Sequence, residues 1–345
     1  MNLKLTSDSK VFILAPAGWV SGGPELLHQL ADYLNRHGRP AYMVYCGGES
    51  RVPEPYAGYK LLVAGEVEDR EENVVVVCET MVKELWDVQH AQKVLWWLSF
   101  DFFYNQYSLI GLRDLFCWNR VRAWKELLKR PIKYLTGRYN IGRRMLTFES
   151  LKDEGILHAC QSEYARQCLL ERGLTKTVML RDYINDDYFE PFDEQPRRDA
   201  VLYNPSKGLA FTRKLQAAAP DIEWVALRGM TRQQVVDLMH RSKVYIDFGF
   251  HPGKDRFPRE AAVSGLCIIT GRKGSANFFE DVSIGDEFKF ADSKDNIPQI
   301  VAKIRRCLAE YDTETLKFAD YRARIGREKS SFEREIDELF GIGTA

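Results

Sequence analysis

Three things are scarce in this 345-residue chain, and each scarcity excludes something. Net charge is the first: 49 Lys and Arg face 49 Asp and Glu. No global field draws such a chain to nucleic acid, and no nucleic-acid recognition motif accompanies it, so no nucleic-acid partner is expected. Long apolar runs are the second. None approaches the roughly 20 residues that a bilayer span needs. The opening MNLKLTSDSKVFILAPAG has too short an apolar run for a signal peptide. Paired cysteine is the third. The seven cysteines stand at 46, 78, 117, 160, 168, 267 and 307, none in a CxxC pair. An odd, scattered set argues against a disulfide framework and for a reduced, cytoplasmic compartment.

What is present is an ordinary apolar and charged composition over a length that suits two domains of roughly 150 residues each. The most informative stretch is 244–270, VYIDFGFHPGKDRFPREAAVSGLCIIT. Val244 to Phe248 reads as a strand. Gly249 to Arg256 collects loop residues. Pro258 suits the first turn of a helix that carries Glu260, Ala261 and Ala262, and Gly265 stops it. Cys267 to Thr270 returns as a buried strand. In a parallel α/β sheet the loop after a strand faces the ligand crevice. His251, Lys254, Arg256 and Glu260 are therefore expected to converge there. Two cations suit a diphosphate, and a carboxylate one turn into the helix suits a ribose diol.

The first half opens as a βαβ unit. Val11 to Ala15 is a strand. Gly18, Gly22 and Gly23 form a glycine-rich turn, and Pro24 and Glu25 open a helix whose Leu26, Leu27, Leu30, Ala31 and Leu34 share one face. Free N–H groups at such a helix start can meet an anion or a sugar hydroxyl; the glycines can equally serve only the turn. The pattern is not GxGxxG, so no dinucleotide fingerprint is present. Val74 to Cys78 is a buried strand, a helix is expected from Thr80 to about Gln92, and Lys93 to Phe100 is the next strand, with Asp101 at its end. Leu157 to Gln161 and Thr177 to Leu180 complete a parallel sheet. Arg181 to Phe192 reads as the linker.

Residues 113–144 interrupt this rhythm. They hold ten Lys or Arg against two Asp or Glu, about +8, interleaved with Trp118, Trp124, Leu128, Ile132, Leu135 and Tyr139. Three readings stay open: a basic helical insertion packed on its own domain, an interfacial amphipathic helix docked on a membrane surface, and a platform for an acidic polymer or partner protein.

In the second half several strand ends carry polar loops: Asn204-Pro-Ser-Lys207-Gly208, Arg228-Gly229, the 249–256 loop, and Gly271–Asn277 with Ser275. Thr231 to Gln234 is a capping box. A set of such loops aimed at one crevice marks a nucleotide-binding α/β domain.

Together these residues resemble a GT-B-fold glycosyltransferase: α/β, two Rossmann-like domains facing across a cleft. The resemblance rests on Gly22–Leu26, Asn204–Gly208, Arg228–Thr231 and His251–Ala262. The last is similar to the donor-binding stretch of the GT4-like retaining branch. The resemblance implies an N-terminal acceptor domain over 1–190 with the insertion at 113–144. It implies a donor domain over 191–325, and a C-terminal helix over 326–345 packing back on the first domain. Glu260 would hold the donor ribose, while Lys254 and Arg256 would face the diphosphate. Asn204, Lys207, Gly208, Arg228, Gly229, Ser275 and Asn277 would line the nucleotide site. Gly22, Gly23 and Glu25 would form the cleft loop, with His28 and Asp101 on the acceptor side. That branch has a glutamate eight positions before the helix carboxylate; here the position is Pro252.

The expected activity is transfer of a sugar from a nucleoside-diphosphate sugar to a saccharide or lipid-linked glycan acceptor, as in surface polysaccharide or lipopolysaccharide synthesis. It is expected to be retaining and peripheral at the inner membrane face. No DxD motif stands at a strand end, so Lys and Arg rather than a metal or other obligatory cofactor are expected to meet the leaving phosphate. A non-catalytic nucleotide- or glycan-binding protein on this fold and a nucleotide-sugar epimerase are the alternatives.

Overall fold

A computed structural model describes residues 3–106, 108–136, 145–153, 155–189 and 196–343. The chain divides into two compact units. The first comprises residues 1–161, 165–180 and 333–345, and the second comprises 162–164 and 181–332.

The first unit is built on seven parallel strands: β1 (Val11–Pro16), β2 (Ala41–Cys46), β3 (Leu62–Ala64), β4 (Val74–Cys78), β5 (Gln92–Trp97), β6 (Leu157–Cys160) and β7 (Thr177–Met179). Their order is β3-β2-β1-β4-β5-β6-β7. β4 is buried along its whole length, as the unbroken Val-Val-Val-Val-Cys run requires of a strand covered on both faces. Helix α1 (Gly22–Arg36) buries Leu26, Leu27, Leu30, Ala31 and Leu34, and Gly38 follows it at φ +83°. The helix begins at Gly22 itself, with Ser21 as its cap, so Gly22 and Gly23 are its first residues rather than a free turn.

The helix expected after β4 is instead a 3-10 segment, Glu79–Asp87, with non-helical φ/ψ at Met81. Its buried Val82 and Leu85 are three apart, the repeat of that tighter helix. Glu79 is turned inward, accepting the Leu98 N–H at 2.9 Å.

Within 113–144 the structure places α2 (Leu112–Trp118) and α3 (Arg120–Leu135); residues 137–144 lie outside the described residues. Helices α4 (Phe148–Asp153) and α5 (Glu163–Glu171) follow.

The second unit has four parallel strands, β8 (Arg198–Tyr203), β9 (Glu223–Ala226), β10 (Ser242–Asp247) and β11 (Cys267–Thr270), in the order β11-β10-β8-β9. Its helices are α6 (Leu209–Ala218), α7 (Arg232–His240), α8 (Arg256–Val263), α9 (Ile297–Ala309), α10 (Tyr311–Leu316) and α11 (Ala319–Gly326). The last helix, α12 (Glu328–Phe340), belongs to the second unit up to Phe332 and to the first from Glu333.

Residues 181–189 are not a free linker. They fold into the second unit, with Asp182, Ile184 and Tyr188 buried. The expected boundary at 190/191 falls outside the described residues, and the change of unit comes at 180/181.

Candidate functional site

In the second sheet the strand order reverses direction between β8 and β10. Loops leaving two strands at such a switch point part company and open a crevice at the carboxyl ends. A cavity of about 460 Å³ lies there. The β8 loop supplies Asn204 and Lys207, β10 supplies Asp247, and the start of α8 supplies Asp255, Arg256 and Glu260. Arg232 at the first position of α7 and Tyr188 complete the polar lining.

Gly208 lets these loops meet. It sits at φ +62°, and a Cβ on it would stand 2.6 Å from the carbonyl carbon of Phe248. Only glycine tolerates both the left-handed backbone and that approach. Asn204 accepts the Ser206 N–H at 2.9 Å, closing the turn ahead of it.

Glu260 is buried on α8, and burial pushes its carboxyl up to about 7. Arg256, Arg259, the Tyr188 hydroxyl bonded to it and Arg232 pull the other way. Removal from water penalises the ionised form, and nearby cations and donors recover part of it.

An alternating row of charges runs along the cavity wall, three of its four members lining it. Asp247, 3% exposed, accepts the Gly249 N–H at 2.8 Å and the Tyr245 hydroxyl at 3.0 Å. His251 Nε2 is 3.3 Å from Asp247, and its Nδ1 is 3.5 Å from Asp255. Neither ring nitrogen is in strict hydrogen-bond alignment, but Nε2 is within bonding reach of Asp247, and both carboxylates attract a protonated ring. Lys207 caps the row on Asp255. Burial opposes a charged His251, but Asp247 and Asp255 hold its pKa above the ordinary value. Burial likewise opposes Asp247, yet His251, Lys207 and the Gly249 N–H keep its carboxyl below the usual range.

Asp247, His251 and Asp255 each place one ligand atom within 4.8 Å of the others, a spacing a divalent ion could use. The same carboxylates already face the positive charges of Lys207 and His251, which offset the charge a cation would seek.

The comparisons with known proteins agree with this architecture. No family model matches the chain. Sucrose-phosphate synthase from Thermosynechococcus elongatus superimposes with a TM-score of 0.63 at 11% identity, over 96% of this chain and 98% of that one. HepE from Anabaena, in complex with UDP, gives 0.59 at 10% identity over 96% and 99%. WaaG, a glycosyltransferase involved in lipopolysaccharide biosynthesis, gives 0.53 at 14% identity over 96% and 100%.

The chain has the GT-B fold.

A curated relative, an alpha-1,6-glucosyltransferase of Actinobacillus pleuropneumoniae serotype 7 (strain AP76), is 26% identical over 137 residues. That match takes in 36% of this chain and 41% of the relative, so it spans about two fifths of the relative's length.

On this GT-B frame the structure gathers some expected residues and separates others. Asn204, Lys207, Arg256 and Glu260 line one cavity, with Gly208 shaping it. Lys254 does not line it. Its ammonium is instead buried against Glu328 at 2.6 Å. His251 is 0% exposed, sits against Asp247 and Asp255, and is not in the lining. Ser275 is buried and donates to the Gly253 carbonyl at 2.6 Å, fixing the 249–256 loop. Gly274, at φ +61°, leaves no room for a Cβ against His251, so the 271–277 loop braces that loop rather than lining the cavity. Asn277, Arg228 and Gly229 are exposed and outside the lining.

Gly22, Gly23, Glu25, His28 and Asp101 belong to the first unit. His28 is buried, with Nδ1 2.6 Å from the Pro24 carbonyl and Nε2 2.9 Å from the Tyr45 hydroxyl. Burial lowers its pKa. Both nitrogens are thus engaged by partners within the first unit. Asp101 accepts the Trp118 indole N–H at 2.9 Å. Sequence reading missed Arg232, Asp247 and Tyr188. The signals for the first two were the residue after the Thr231 cap and the acid closing β10; Tyr188 lay in a stretch read as linker.

Proposed function

We propose that this protein is a glycosyltransferase that moves a sugar from a nucleoside-diphosphate sugar to a saccharide acceptor. The observation that carries this reading is the convergence of Lys207, Arg232 and Arg256 with the buried Glu260 at the β8/β10 switch point. Glu260 accepts the ribose hydroxyls. The three cations face the diphosphate, where negative charge accumulates as the sugar–phosphate bond breaks; fixed cations there lower the barrier. These cations take the place of a metal ion, and turnover is expected to persist in EDTA. Transfer is retaining, by the likeness of the 251–262 stretch to that branch. UDP is the first nucleotide to test, because the HepE structures hold UDP and UDP-glucose.

A panel of UDP, GDP, ADP, TDP and CMP, read by thermal shift, tests the site. A ligand that binds only the folded state raises its stability by mass action. One nucleoside diphosphate is expected to raise the transition of the wild type and not of Glu260→Ala. If none does so at millimolar concentration, the donor-site reading fails. Sugar release or epimerisation of the donor without any acceptor would instead identify a hydrolase or an epimerase.

The acceptor proposed is a lipid-linked or surface saccharide, met at a membrane face through α3. This helix is inside out: it buries Ala123, Glu126 and Arg130 and exposes Trp124, Leu128, Ile132 and Leu135. Lys133 pairs with Glu126 at 2.7 Å, and Arg130 donates to the Ile110 carbonyl. Charges turned inward and an apolar stripe turned outward, flanked by Arg120, Lys125 and Lys129, suit an anionic interface. No described helix is long and apolar enough to cross a membrane. Co-sedimentation with vesicles of phosphatidylglycerol and phosphatidylcholine should be several-fold weaker for Leu128→Asp. Equal binding of the two proteins would remove α3 from the interface.

A further inference from the structure

The first unit holds a larger cavity that the donor reading does not use. It measures about 670 Å³, within the size range of small-molecule sites. Its walls are Arg113, Asp114 and Cys117 of α2, the 147–152 segment with α4, and residues 171–173 at the end of α5, over a floor of Tyr104. The 147–152 and 171–173 segments precede β6 and β7. Crevices for nucleotides in such sheets lie instead at the ends where strands finish.

Two features make this cavity a built site. Tyr104 is 0% exposed, with its ring stacked on Trp118 at 4.6 Å and 4°. Its hydroxyl lies within hydrogen-bonding reach of the Arg172 guanidinium, though not in strict alignment with it, and the residue lines the cavity. Beside it the Arg172 guanidinium is held flat over Phe100 and Phe148, 4.9 and 5.1 Å from their ring centres. Its Nη1 is fixed on the Cys168 carbonyl at 2.7 Å. It is a preorganised fork of donors.

The charge of the walls identifies the ligand class. Arg113, Lys152 and Arg172 line the cavity alongside Asp114, Glu149 and Glu171, three cations with three carboxylates. Lys152 already pairs with Glu149 at 2.9 Å, and Asp114 accepts the Phe148 N–H at 3.0 Å. Such a ring concentrates neither anion nor cation. It offers planar donors and acceptors side by side, and a sugar hydroxyl is both donor and acceptor. We propose that this cavity is a saccharide-binding site of the first unit that takes one or two neutral pyranose residues. The site stands independently of the nucleotide reading.

Cys117 provides the test, because its thiol is exposed on the cavity wall. Alkylation of Cys117 by iodoacetamide is followed by peptide mass spectrometry on the full chain, without nucleotide. Maltotriose or isomaltotriose at 10 mM is expected to slow it at least threefold. Tyr104→Phe removes only the hydroxyl and should lose most of that protection, and Arg113→Ala should lose it too. Protection by neither trisaccharide overturns the proposal. So does protection undiminished in both variants, protection by inorganic phosphate instead of sugar, or protection abolished by Glu260→Ala. Failure of nucleotides to bind would leave the expected result unchanged, so the two readings fail separately.

Discussion

Burial holds the Glu260 carboxyl up to about 7, against an ordinary value of 4.5. A raised carboxyl pKa means that folding favours the proton. Its stabilising contribution is complete below the ordinary value and is lost as pH rises through about 7. Ligand binding is expected to run the opposite way, because in the proposed site the ionised carboxylate would accept two ribose hydroxyls. Affinity for the nucleoside diphosphate should therefore rise as pH passes from 6 to 8. Glu260→Gln should bind weakly and lose that part of the pH dependence, as calorimetric titration at several pH values would show. A parallel pH profile in the variant would take Glu260 out of the site. Its neighbour Arg259 has a different task. It is 0% exposed and bonds Asp182 at 2.8 Å and Glu328 at 2.7 Å. Removing one partner of a buried ionic set leaves the others uncompensated, typically costing about 3–5 kcal/mol. Arg259→Met should lower the urea midpoint accordingly; a shift within error would mean that water reaches the two carboxylates. These contacts separate two neighbouring cations that the sequence treats alike. Lys254 and Arg256 look equivalent in the chain, but Glu328, 74 residues from Lys254, captures one and not the other. No local spacing reports a partner that distant.

At the scale of elements, the crevice depends on two backbones touching. Gly208 packs against Phe248 and Gly249, so the loop after β8 lies directly on the loop after β10. Gly208→Ala adds a left-handed penalty of about 1–2 kcal/mol and a clash that flexible side chains cannot relieve. The variant should melt lower and bind nucleotide at least tenfold more weakly. Unchanged binding would show that the β8 loop does not shape the site. The strand–loop–helix–strand stretch 244–270 was legible because each of its boundaries has a local cause. β10 spans Ser242–Asp247, α8 opens near Pro258, Gly265 stops it at φ +92°, and β11 covers Cys267–Thr270. The loops after β8 and β10 were legible as neighbours for the same reason, and both line one cavity. Segments 79–87 and 181–189 were not legible. Their conformations are set by tertiary burial of Glu79, Asp182 and Tyr188, polar and amphipathic residues whose types suggest exposure. The outward apolar stripe of α3 was readable as composition. Its direction was not, since the buried Glu126 and Arg130 invert the usual rule that charges face water.

For the molecule as a whole, α12 completes each unit with different residues. Within the second unit Glu328 neutralises Lys254 and Arg259, and Phe332 packs on Tyr183 at 5.3 Å. Within the first unit Ile336 and Phe340 are fully buried, and Asp337 accepts the Tyr33 hydroxyl at 2.9 Å. The two halves of one helix thus stabilise two separate cores, and substitutions in them should be separable. Six of the seven tryptophans, at 19, 86, 96, 97, 118 and 124, lie in the first unit, and Trp224 alone lies in the second. Ile336→Asp places a carboxylate in an apolar core and should lower the urea midpoint seen by tryptophan fluorescence. Glu328→Gln should leave that midpoint nearly in place. It should instead lower the melting transition that nucleotide shifts, because it unpairs Lys254 and Arg259 in the unit that carries the cavity. If both variants moved both signals equally, the units would unfold as one, and α12 would act as a single brace rather than as two anchors.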